Sequence, residues 1–204
     1  MYLRGLELTG FKSFVKKTVF SFTSPITAIV GPNGSGKSNV AEAFQWTLGE
    51  QSMKALRGKK GEDLIWNGSP SIPRTNRASV SVTFENEGKH FPIDFDTVTI
   101  AREVYRDGTN DYSINGSKVR LRDVTELLSG VSIGGSGHHI ISQGEADRIL
   151  SVSPSERQAM IHDALGLKIY HWKLSESEKK LGKTKENLDK ADSIRREVNG
   201  HLRF

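Results

Sequence analysis

The sequence has no cysteine, which excludes disulfides and thiolate metal sites. No run of about 18 apolar residues occurs, so no membrane-spanning helix is expected. Hydrophobic residues make up only 35% and aromatic residues 8% of the 204 positions, and mean hydropathy is −0.46. That apolar share is low for a compact globule and fits a folded domain joined to a solvated helical arm. The start, Met1-Tyr2-Leu3-Arg4-Gly5-Leu6-Glu7, is too polar for a signal peptide, so a soluble intracellular protein is expected.

The charged residues lean one way. The net charge is +5, with a pI of about 9.4. Such a field raises the local concentration of polyanions such as DNA, although many proteins of this charge bind no nucleic acid.

Alternating apolar residues predict a strand over residues 3–8, with 19–22 as its antiparallel neighbour. Residues 26–30 (Ile-Thr-Ala-Ile-Val) form a short apolar run ending at a glycine-rich turn, which predicts a buried strand feeding a loop. From Lys37 to Leu48 the spacing turns helical, with Val40, Ala41, Phe44 and Leu48 on one face. Residues 52–77, rich in Gly, Pro, Ser and basic groups, predict loop with short turns. Strands follow around Val80, Val82 and Phe84, and around Val98 and Ile100. Asp107-Gly108 and Asn115-Gly116 are hairpin signals on either side of Tyr112-Ser113-Ile114. A short helix is expected from Arg122 to Leu128, and a short strand at Ile140-Ile141.

Ser153-Pro154-Ser155-Glu156 starts a helix, with Ser153 as cap, Pro154 first and Glu156 closing a capping box. Helical pattern then runs almost to the C-terminus. Leu174, Leu181 and Leu188 repeat every seven residues, and Ser177, Thr184, Ala191 and Val198 form a weaker second seam. Charged residues nearly all round favour a coiled-coil arm over a surface helix. Gly182 inside it has no explanation.

The chemistry is concentrated in Gly31-Pro32-Asn33-Gly34-Ser35-Gly36-Lys37-Ser38, an ungapped match to the phosphate-binding P-loop. Its glycines let successive amides point inward as an anion nest. The following helix aims its positive end at the same spot. Lys37 suits the β- and γ-phosphates of ATP, and the Ser38 hydroxyl suits Mg²⁺. A chance match in a chain of this length is expected roughly 1% of the time.

The flanks carry a family resemblance. They are Gly10-Phe11-Lys12-Ser13-Phe14, Asn39 after the P-loop, Leu48-Gly49-Glu50-Gln51-Ser52 and Leu56-Arg57-Gly58. Further on come Ile114-Asn115-Gly116, Leu121-Arg122-Asp123 and Ile140-Ile141-Ser142-Gln143-Gly144. In number and order they resemble the N-terminal part of structural maintenance of chromosomes (SMC) proteins, closest to the prokaryotic kind.

The resemblance implies an α/β P-loop NTPase of ABC-ATPase head type: an N-terminal lobe with an antiparallel sheet over residues 1–152. A helical neck and the start of a coiled-coil arm would occupy 153–204. It implies nucleotide contacts from Lys12, Ser13, Pro32, Asn33, Gly34, Ser35, Gly36, Lys37, Ser38, Asn39 and Arg57. Gln143 would be the glutamine-loop ligand of Mg²⁺ that orients water, with Lys37 as its catalytic companion. The partners implied are the C-terminal half of the same head, a second head, a kleisin subunit at the neck helix, and DNA. The location implied is the cytoplasm, at the nucleoid. A DNA-repair relative of RecN type or double-strand-break repair type shares the split plan and is the alternative.

Some features depart from the family or are missing. Gly134-Gly135-Ser136-Gly137-His138-His139 replaces the usual Arg-Asp pair and aromatic, and its adjacent histidines lack further metal ligands. Leu128-Ser129-Gly130-Val131 mimics an ABC signature, but Val131 stands for its second glycine and it precedes Gln143. No apolar run ends in Asp-Glu, so the general base for water attack is not in this chain. The chain by itself is expected to bind ATP without turning it over.

Overall fold

The computed structural model describes residues 2–131, 133, 140, 152–164 and 167–201. The chain divides into two compact units, Met1–Met160 and Ile161–Phe204.

The first unit is built on six antiparallel strands in the order β2-β1-β3-β4-β5-β6. They are β1 (Tyr2–Thr9), β2 (Thr18–Ser21), β3 (Arg77–Glu85), β4 (Thr97–Tyr105), β5 (Asn110–Ile114) and β6 (Ser117–Val119). The alternation read from the sequence sets the pleat. Val80, Val82 and Phe84 of β3, Val98, Ile100 and Val104 of β4, and Leu6 and Leu8 of β1 are buried on one face. The β5–β6 connection turns at Asn115 and Gly116, both with positive φ, the backbone that a two-residue hairpin of this sequence demands.

Two helices lie against the buried face: α1 (Lys37–Thr47) on β3 and β4, and α2 (Leu121–Gly130) on β5. The stripe that α1 buries is Val40, Ala43, Trp46 and Thr47, together with Glu42. Ala41, expected on that face, is exposed. Two polar residues hide the true stripe from a reading that counts apolar positions only. Trp46 packs on Phe11, with ring centroids 5.4 Å apart. At the same C-terminal end of α1 the Arg102 guanidinium lies between the rings of Trp46 and Tyr112, 4.7 and 4.8 Å from their centroids.

Residues 52–76 form the expected loop, with a 3₁₀ turn over Gly61–Leu64. Asp63 accepts from the amides of Lys59 and Lys60, and these bonds hold its carboxyl below the usual carboxylate range. The loop is tied to the end of β1: Trp66 N donates to Gly10 O and Lys12 N to Leu64 O, both at 2.8 Å. Gly10 has φ +66°, and a Cβ there would stand 2.3 Å from Arg77 O. Gly10→Ala must therefore accept a left-handed backbone and push a strand carbonyl aside. We expect a loss of about 2–3 kcal/mol, read from the midpoint of urea unfolding at unchanged slope.

The expectation for residues 26–30 is overturned. They form no strand, and the whole of 23–35 is exposed. Ile26 and Val30 are each 88% exposed and Ile29 39%. A strand needs a neighbour for its amides and carbonyls, and among the described residues none lies beside this segment.

Helix α3 (Pro154–Ala164) begins where the sequence places it. Ser153 N donates to Glu156 Oε2 at 3.1 Å, and Glu156 N to Ser153 Oγ at 3.4 Å, closing the capping box. The expected single helix is two, for Leu167 sits in a turn before α4 (Lys168–His201), and Gly166 in the intervening sequence is a poor helix former. The 34 residues of α4 span about 50 Å. Its seam residues Leu174, Leu181, Leu188 and Val198 are all exposed. Of the strand expected at Ile140-Ile141, Ile140 lies in a bend and Ile141 is outside the described residues.

Candidate functional site

The P-loop residues 31–36 connect the bare segment to the first turn of α1. Gly34 and Gly36 take the left-handed backbone, at φ 83° and 91°. Gly36 caps α1 with no side-chain bond, and the first turn contains no acidic residue. Among the described residues the amides of Lys37 and Ser38 have no hydrogen-bond acceptor. A helix start so left open is what an anion satisfies. Lys37 Nζ folds back over the loop and donates to Gly31 O at 2.6 Å and Pro32 O at 2.8 Å. Open space lies beside Gly34, and the Ser38 hydroxyl is exposed. The donor set is therefore amides, one ammonium and one free hydroxyl, which fits a nucleoside triphosphate with its Mg²⁺.

Ser13 docks on this loop. Asn39 Nδ2 donates to Ser13 Oγ at 2.8 Å. A Cβ on Gly36 would stand only 2.7 Å from the same oxygen, so glycine is needed for the close approach.

Lys12 and Arg57 are gathered by a residue that sequence reasoning missed. Glu42, one and a half turns beyond Lys37 on α1, has a side chain only 4% exposed. Its two oxygens take Lys12 Nζ and Arg57 Nε. Lys12 is 13% exposed and also donates to Leu56 O at 2.5 Å, whereas Arg57 is 61% exposed. The signal that could have found Glu42 is its position next to Ala43, inside the stripe of Val40, Ala43 and Thr47 at helical spacing.

Pro32, Asn33, Gly34, Ser35, Gly36, Lys37, Ser38, Asn39 and Ser13 thus come together, with Lys12 and Arg57 joined at the flank through Glu42. Gln143 lies outside the described residues, as does the stretch 134–139. No group of three or more His, Cys, Asp or Glu fit to hold a metal occurs among the described residues. No helix among them is long and apolar enough to cross a membrane. A cleft of about 890 Å³ beside the bare segment is lined by Tyr2, Arg4, Phe22, Pro25, Thr27 and Glu85.

A glycine-rich loop that opens an uncapped helix, set on a lobe of sheet and helices, is the architecture of the P-loop class. The chain matches the RecF/RecN/SMC N terminal domain over residues 2–184 and belongs to the SMC family, of which it is an N-terminal head part. It is 44% identical over 194 residues to the chromosome partition protein Smc of Clostridium kluyveri. That match covers 95% of this chain and 16% of the relative, so the chain spans about one sixth of the relative's length. A solved chain from work on ATP-driven dimerization and DNA stimulated activation of SMC ATPases is 41% identical, with a TM-score of 0.74. The match covers 80% of this chain and 99% of that one. The Smc head domain of Pyrococcus furiosus, with an extended coiled coil and bound to the C-terminal domain of ScpA, is 40% identical with a TM-score of 0.76. There the match covers 97% of this chain and 50% of the other.

Proposed function

We propose that this chain is the ATP-binding half of an SMC ATPase head, and that with its C-terminal half and a kleisin it drives ATP-dependent chromosome organisation and segregation. The observation that carries this reading is the one-sided P-loop. Its anion-binding face is built, with open amides and a poised lysine, yet among the described residues no strand lies beside the segment that feeds it. A second half that supplies strands would cover Ile26, Ile29 and Val30 and fill the neighbouring cleft. The solved relative with ATP-driven dimerization supports a second head, and the relative bound to ScpA supports a kleisin. The net charge of +5 suits DNA. The match to a chromosome partition protein favours this reading over a RecN-type repair protein, and it agrees with a cytoplasmic, nucleoid-associated location.

Bound Mg-ATP supplies the γ-phosphoryl group. The loop amides and Lys37 would hold the phosphates, the Ser38 hydroxyl would take a place on the metal, and Gln143 would orient water. Phosphoryl transfer depends on positioning and charge stabilisation, and this chain carries only half of the apparatus. The acidic base and the signature loop would come from the other half and the second head.

The test is phosphate release by the purified chain, alone and with the complementary half. Alone, it should bind ATP and release phosphate no faster than background. With the complement, slow turnover that depends on head concentration should appear. Gln143→Ala should lower that turnover at least tenfold while changing ATP affinity little. Robust turnover by the chain alone, lost in Lys37→Ala, would mean that a base exists within it and that the half-site reading is wrong.

A further inference from the structure

We propose that Glu42 is a positioning residue of the nucleotide site, setting the guanidinium of Arg57 so that its two terminal nitrogens face the phosphates of a bound nucleotide. The proposal rests on the reading above that Arg57 meets those phosphates.

A carboxylate as buried as Glu42 is costly unless it is paired. It has two cations, and they are used differently. Lys12 is spent: its Nζ is shared between Glu42 and Leu56 O, and its side chain is nearly covered. It balances the buried charge. Arg57 gives Glu42 only its Nε. Among the described residues its Nη1 and Nη2 have no partner, and most of the side chain is exposed. An Nε contact fixes the guanidinium plane and leaves the terminal fork free, the geometry that takes a phosphate through two parallel bonds.

The backbone agrees. Lys12 and Arg57 both have left-handed φ, 46° and 50°, which is uncommon outside glycine and costs about 1–2 kcal/mol each. Two such residues on separate loops, drawn onto one carboxylate, indicate that the carboxylate fixes both loops. The anchor is close to the P-loop. Glu42 lies five residues after Lys37, about 7.5 Å along the helix, and Ser13, next to Lys12, is bonded to Asn39.

Coulomb's law alone points the other way. Removal of a negative charge beside an anion site should tighten the binding of an anion. Positioning requires that it weaken. The experiment titrates Mg-ATP and Mg-ADP into the 204-residue chain carrying Glu42→Gln, Arg57→Ala, both together, or Lys37→Ala. Glu42→Gln should weaken both nucleotides about tenfold. Arg57→Ala should do the same, and the double variant should be no weaker than either alone, as for groups that act as one unit. Arg57→Lys, a point charge without the fork, should not restore binding.

Glu42→Gln leaves Lys12 buried without a counter-charge, so a second variant, Lys12→Met with Glu42→Gln, removes both charges. It should fold by thermal unfolding and still show the tenfold loss. Affinity equal to or tighter than the parent's in either Glu42 variant overturns the proposal. So does full additivity with Arg57→Ala. If Lys37→Ala leaves affinity unchanged, the P-loop reading itself fails; if it abolishes binding while Glu42→Gln does not weaken it, only the present proposal fails.

Discussion

Lys37→Ala should weaken Mg-ATP binding at least about 100-fold while the chain stays folded. The ammonium sits at the start of α1, where the open amides and the helix dipole already favour an anion. In the free site it is held by two carbonyls of the loop, at 2.6 and 2.8 Å. A bound phosphate exchanges those neutral acceptors for charged ones, and each such bond contributes about 1.5–3 kcal/mol. Loss of two gives roughly 3 kcal/mol or more, which is about two orders of magnitude in affinity. The carbonyls left behind belong to exposed residues and find water, so stability should change by less than about 0.5 kcal/mol. Calorimetric titration with Mg-ATP and a thermal scan of the same sample separate the two effects. Tight ATP binding by the folded variant would remove Lys37 from the site.

The second large effect lies at the far end of the same helix. Arg102→Ala should destabilise the first unit by about 3–5 kcal/mol. Its side chain is buried and donates to Trp46 O at 2.8 Å and Glu50 O at 2.9 Å. Trp46 O lies in the last turn of α1 and Glu50 O just beyond it, where a cation is favoured by the helix dipole and by two aromatic faces. Burial lowers the guanidinium pKa to about 10, so it is still charged at neutral pH. Alanine removes the charged donor from both carbonyls, leaving Trp46 O with Gly49 N at 3.2 Å and Glu50 O with Gln51 Nε2 at 3.3 Å, and opens a void between Trp46 and Tyr112. Arg102→Met fills the void but not the bonds, and should cost about 2 kcal/mol less than alanine. Urea unfolding of both variants is the measurement, and equal losses would show that packing is not part of the effect.

The sheet was legible because it is nearly two-sided in pattern: β3 alternates without a break, β4 alternates but for Arg102, and Asn115-Gly116 marks a turn by backbone preference alone. The P-loop was legible because phosphate binding needs glycines at fixed spacing. Glu42 was not: its place in the helical stripe is the one local signal, its two partners are 30 and 15 residues away, and the pairing exists only once the loops fold. Arg102 failed to stand out for the same reason. It occupies a core position of β4 that simple alternation assigns to an apolar residue. Residues 26–30 show the opposite failure: their composition is that of a buried strand, but burial depends on a neighbour, which composition cannot supply.

Under the proposed reading, that bare segment has a consequence for the newly made chain. Five uncharged residues, four of them apolar and four β-branched, are the composition from which cross-β aggregates grow. Pro25 and Pro32 stand on either side of them. Proline lacks the amide a growing sheet requires, so the pair confines any stray pairing to a short stretch. Under the proposed reading the matching strands are encoded far downstream, in relatives roughly six times as long as this chain. At about 5–20 residues per second, synthesis of that length takes on the order of a minute or more. The two prolines would act as gatekeepers for that interval, keeping the segment bare and unaggregated until its neighbour leaves the ribosome.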